Sequence, residues 1–90
     1  LIDSWKTEPV SAGWTRLMLT RFVKHKITPT RAARGGALVH VAMHDAFHLA
    51  KESQLDAEVS VSAAAAYVLG YLFPAEEKIF SRIADAVAQQ

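Results

Sequence analysis

Apolar residues in this chain recur at intervals of three and four, and no stretch alternates with the two-residue period of a half-buried strand. The first stripe is Trp14, Leu17, Met18, Phe22 and Val23, with Arg16, Thr20, Arg21, Lys24 and Lys26 on the other side. It predicts an amphipathic helix over residues 11–26. The basic run Lys24-His25-Lys26 would then meet the negative end of the helix dipole. Thr28-Pro29-Thr30 reads as a fresh start, because Thr28 can cap and Pro29 loses nothing at a first helical position.

The second helix is expected to run from there to residue 51 or 52. Its interior is apolar on nearly every side: Ala32, Ala33, Ala37, Leu38, Val39, Val41, Ala42, Met43, Ala46, Phe47, Leu49 and Ala50. Such a helix is expected at the centre of a bundle, with neighbours on most faces. Gly35-Gly36 costs roughly 1 kcal/mol per glycine relative to alanine, so the pair marks close approach by another helix or by a ligand.

Residues 53–60 are polar and connect. Ser60 or Ser62 is expected to cap a third helix over 63–72, which carries Tyr67, Val68, Leu69, Tyr71 and Leu72. Phe73-Pro74 ends it, since the residue before proline is pushed away from the helical region. Pro74 opens a fourth helix with Glu76 and Glu77 in its first turn and an apolar stripe of Ile79, Phe80, Ile83, Ala84 and Val87. The fold class expected is all-α, a helical bundle of about four helices.

Ten basic and nine acidic residues leave a net charge of +1, which supplies no electrostatic reason for a nucleic acid or an anionic membrane as partner. No cysteine means no disulfide framework and no thiol catalyst. The uncharged, alanine-rich run over 59–74 is shorter than the about 20 residues of a bilayer span, so a buried helix is expected rather than a membrane span. Helices two and three carry more apolar surface than two amphipathic partners of this length can cover. The cover expected is the remainder of the same polypeptide or a second chain, a homodimer included. The chain starts at Leu1 with no basic-then-apolar leader and runs in helical register to Gln90, which suggests a piece of a larger helical domain.

Chemistry concentrates on the second helix. His40, His44 and His48 stand at i, i+4 and i+8, with Glu52 next in the series. Neighbours at this spacing can share one metal ion, as in helical zinc sites. Asp45 and His48 have the acid-x-x-His spacing of di-iron bundles, which need a second such motif and two further carboxylates. The alternative is that the histidines are partly buried and hydrogen-bonded to neighbouring helices. His44-Asp45 is either a structural anchor or the wall of a pocket, because a polar pair must find partners when buried. Arg31 and Arg34 flank a helix N-terminus, which suits an anion or a solvated, salt-bridged face. Trp5, Trp14, Tyr67 and Tyr71 are expected in core or interface. No Gly-x-Ser-x-Gly and no glycine-rich phosphate loop is present.

The run Thr28-Pro29-Thr30-Arg31-Ala32-Ala33-Arg34, followed by Ala37-Leu38-Val39-His40-Val41-Ala42-Met43-His44-Asp45-Ala46, resembles the N-terminal region of vanadium-dependent haloperoxidases. Those proteins often show Pro-Pro-Arg-Ala-Ala-Arg, a short apolar stretch and then Val-Ala-Met-Tyr-Asp-Ala. The run from Ala63 to Leu72-Phe73-Pro74 is similar to the family's next helix, which tends to end in Leu-Phe-Pro. The likeness spans about Trp14 to Pro74 and rests on helical packing segments.

The resemblance implies a mostly helical enzyme of the haloperoxidase and acid-phosphatase (PAP2) superfamily, with this chain as its N-terminal helical segment. It implies vanadate or phosphate in the complete enzyme, and export to the periplasm or out of the cell. The family's signature is Lys-x6-Arg-Pro, Pro-Ser-Gly-His and Ser-Arg-x5-His-x3-Asp. Lys24 and Arg31 stand seven apart, but Ala32 follows where proline is expected, and the other two parts do not occur. No catalytic residue is therefore carried onto this chain. His44 stands where the family usually has tyrosine, which leaves haloperoxidase and phosphatase both open.

Overall fold

The structure is a computed structural model and describes residues 10–89, so Trp5 lies outside the described residues. Four α-helices follow in order: α1 (Val10–Lys24), α2 (Pro29–Glu52), α3 (Ala57–Leu72) and α4 (Glu77–Ala88). A 3₁₀ turn, Pro74–Glu76, joins the last two, and no strand occurs among the described residues. The chain is an all-α helical bundle.

Local chemistry sets the helix ends. Thr28 caps α2 by accepting the Arg31 backbone N–H at 3.4 Å, with Pro29 in the first turn as expected. α1 stops at Lys24, two residues before the expected end. Lys26 turns left-handed at φ 53°, and the Ile27 N–H bonds back to the Phe22 carbonyl at 3.0 Å. This six-to-one closure satisfies carbonyls that the helix would otherwise leave open. Gln54, at φ 59°, and Leu55 N–H to the Ala50 carbonyl repeat the device after α2.

The start of α3 corrects the expectation. Asp56 caps it, accepting the Val59 N–H at 3.2 Å, and the helix begins at Ala57 rather than Ala63. The second half of the stretch assigned to a connector, from Ala57 on, is thus helix. Ser60 lies inside it, and Ser62 is fully buried, accepting a 2.9 Å hydrogen bond from the Trp14 indole Nε1. A buried hydroxyl needs such a partner, and a buried indole N–H needs the same one.

α3 takes the centre and touches each of the other three helices. That also corrects an expectation, because α2 was the helix expected there. α2 turns only Gly35, Gly36, Val39, Met43 and Ala50 fully inward and leaves Leu38, Val41 and Leu49 more than half exposed. The reason is geometric. Within these residues α2 packs chiefly on α3 and to a small extent on α1, and α3 is eight residues shorter (16 against 24), about 12 Å of helix. The core formed from all four helices includes Trp14, Met18, Phe22, Val39, Met43, Ala65, Leu69, Phe80 and Ile83.

Gly35 resolves the choice between helix and ligand. A Cβ there would stand 3.2 Å from Leu72 Cδ1 and 3.4 Å from Phe22 Cζ, so the close neighbours are side chains of α3 and α1. Gly35→Leu is expected to lower stability by about 1–3 kcal/mol through overpacking, measured by urea unfolding. Asp56→Ala should cost about 1 kcal/mol and Ser60→Ala much less in the same assay, the reverse of what a Ser60 cap requires.

Candidate functional site

Two constellations bring polar side chains together. The first is the histidine-bearing face of α2. Spacing of four residues places His40, His44 and His48 on successive turns, and the structure pairs the last two. Their Nε2 atoms are 3.2 Å apart and their ring centroids 4.4 Å apart. The Phe47 ring meets His48 edge-on at 5.5 Å, and the Lys51 ammonium sits 5.3 Å from the Phe47 centroid. His40 is exposed one turn earlier. No three His, Asp or Glu side chains converge at metal-holding distance among the described residues, Glu52 included.

The histidines are not the partly buried, interhelical hydrogen-bonders that the crowded-interface alternative describes. All three are exposed, because α2 lies at the edge of this bundle rather than in its middle. Asp45 Oδ1 stands 3.7 Å from His44 Nδ1, with the two side chains 76% and 71% exposed, so water screens the pair and it anchors nothing. His40 and His44 do share an open groove of about 420 Å³ with Met43, Phe47, Glu58 and Val61. Asp45 is not part of its lining. The groove has a mainly apolar lining with two imidazoles and one carboxylate.

The second constellation escaped the sequence. Glu76, expected in the first turn of the fourth helix, lies instead in the 3₁₀ turn before it and has only 7% of its side chain exposed. Its Oε2 accepts from Lys24 Nζ at 2.7 Å and Arg21 Nη1 at 3.0 Å, and its Oε1 lies 3.1 Å from His25 Nε2. The hydrogen bonds from Lys24 and His25, helped by the charges of Arg21 and Lys24, hold its carboxyl below the usual range against the opposing effect of burial. The His25 ring also stacks on Phe73 at 4.9 Å. Arg21 Nε is buried with no hydrogen-bond partner among the described residues. The cluster staples the end of α1 to the α3–α4 corner. Its one legible signal is Arg21, Lys24 and His25 at i, i+3 and i+4, a single basic face awaiting an acid.

Arg31 and Arg34 are exposed and border an open space of about 250 Å³ with Phe22, Ile27, Leu38, Leu72 and Phe73. Of the aromatic residues expected in core or interface, Trp14 is fully buried, whereas Tyr67 and Tyr71 are 80% and 76% exposed. Those two tyrosines flank a groove between α3 and α4 floored by Ala63, Ala66 and Gly70.

No helix among the described residues is long and apolar enough to cross a membrane. No family model, no curated protein and no solved structure matches the chain.

Glu76→Gln removes the charge that Arg21 and Lys24 share and is expected to cost about 2 kcal/mol in denaturant unfolding. Because folding lowers the Glu76 pKa, its contribution is fully present above the ordinary glutamate range and is lost as pH falls below it. The stability difference between wild type and Glu76→Gln should therefore shrink on acidification.

Proposed function

We infer that this chain is the N-terminal helical scaffold of a haloperoxidase-like or acid-phosphatase-like (PAP2-type) enzyme, supplying structure and one wall of a pocket. The observation that carries this reading is the outer face of α2, where Leu38, Val41 and Leu49 stand in water beside the buried Val39 and Met43. Three exposed apolar side chains on one side of the helix, interrupted there by Asp45, suit a surface that another segment covers. The segments that resemble the haloperoxidases fall on α2 and α3, which lie against each other. Their small and apolar residues have packing duties there: Thr28 and Pro29 start α2, Gly35 admits Phe22 and Leu72, and Phe73-Pro74 turns the corner to α4.

The described residues do not make an oxyanion cradle. Arg31 and Arg34 are exposed, and the space beside them is lined otherwise by apolar side chains and Gly35, with no histidine. A vanadate or phosphate would be held by other parts of the complete enzyme, so no chemical step is derived from these residues. Their contribution is mechanical. A bundle wall positions groups borne elsewhere and keeps water from them.

The reading is tested by determining the coding sequence beyond Gln90 and assaying the full product for vanadate-dependent bromide oxidation and for phosphate-ester hydrolysis. Arginine- and histidine-bearing anion motifs downstream, with one of those activities, are expected; their absence overturns it. Val41→Lys should destabilise the full product by more than 1 kcal/mol, while in residues 1–90 alone it should stay within about 0.5 kcal/mol, as for an ordinary surface change.

The rival reading is a non-catalytic helical interaction module, favoured by the same exposed face and by the exposed Tyr67 and Tyr71. Light scattering separates the two. A stable homodimer of the chain, abolished by Val41→Lys, is the module's outcome.

A further inference from the structure

His44 and His48 hold their Nε2 atoms 3.2 Å apart on adjacent turns of α2. Two imidazole nitrogens at this separation, each about 2.0–2.1 Å from a shared ion, subtend roughly 100–106° at that ion. The angle lies between the about 90° of square-planar copper(II) and the about 109° of tetrahedral zinc(II). In the free protein the two nitrogens share a hydrogen bond, one imidazole donating to the other, and a bound ion would take the place of that proton after a small rotation of the rings. The helix backbone fixes the spacing, and the Phe47 ring packed edge-on against His48 limits where that imidazole can go. Both rings are exposed, so an ion can enter from solvent and complete its coordination with water.

We propose that His44 and His48 form a two-histidine chelate for a divalent transition-metal ion, with copper(II) bound ahead of nickel(II) and zinc(II). The order follows from the general affinity series of nitrogen ligands for these ions. His40 stands one turn before the pair and is exposed, outside the His44–His48 contact. Two protein ligands rather than four make the site open and exchangeable, unlike a closed structural zinc site. Binding also ties two adjacent turns of α2 together, so the loaded helix is harder to unfold. The chelate uses His44 and His48 alone and needs no residue beyond the chain, so its failure would leave the scaffold reading untouched.

The test is calorimetric titration of the protein with copper(II) chloride, and separately zinc(II) chloride, in a non-coordinating buffer. One ion per chain is expected, with copper(II) tighter. His44→Ala and His48→Ala should each weaken binding at least about tenfold, since even the outer-sphere partners of metal ligands are typically worth that much. His40→Ala should leave it unchanged, and circular dichroism confirms that each variant keeps its helix content. Electron paramagnetic resonance of the copper-loaded protein should show two equatorial imidazole nitrogens, and added metal should raise the melting temperature of wild type but not of His48→Ala. Absence of saturable binding, an equal loss in His40→Ala, or a spectrum with fewer than two imidazoles overturns the proposal.

Discussion

A single sixteen-residue helix holds this bundle together, and most other features follow from its size. α3 touches α1, α2 and α4, and its inward side is built from Val61, Ser62, Ala65, Ala66, Leu69 and Gly70. Ser62, Ala65, Ala66 and Gly70 are small enough to let neighbours come close, while Val61 and Leu69 fill the core between them. A helix this short covers only one side of each neighbour. The remainder of α2, eight residues longer and apolar around most of its circumference, stays in water.

Two polar contacts fix how α1 sits on that helix. Trp14 reaches Ser62 at one end, and Arg21, Lys24 and His25 converge on Glu76 at the other. Both join residues about fifty positions apart, and both bury groups that would be costly if left unpaired. Apolar contacts alone would tolerate some sliding of α1 along the alanine-rich surface. A hydroxyl and a carboxylate that must be met at given points remove that freedom, which is the use of buried polarity best supported elsewhere.

Val41 of the apolar row and His48 stand seven residues apart on the same exposed side of α2, so the surface proposed for covering runs beside the histidine pair. His44 also borders the groove shared with His40, Met43 and Glu58, so an ion held there would sit at the rim of that groove.

Helix number, helix type and several boundaries were legible in the residues. A period near 3.6 places Trp14, Met18 and Phe22 on one side of α1, and Thr28-Pro29 and Phe73-Pro74 punctuate the chain through local backbone chemistry alone. The i, i+4 spacing of His44 and His48 was equally plain, because a helix converts sequence distance into spatial distance without help from its neighbours. The choice of Asp56 over Ser60 as cap was less plain, since both are good capping residues and packing selects the register. Three matters belonged to the tertiary structure alone. Which apolar helix takes the centre depends on which neighbours are present, and periodicity is silent about that. Glu76 as the carboxylate that meets a basic face fifty residues away depends on the corner at Phe73-Pro74 swinging it inward. Exposure of the histidine stripe depends on α2 lying at the edge. Local pattern governs what each segment becomes, whereas burial is a property of the whole arrangement, so the chain's own residues named the helices and only their assembly decided what faces water.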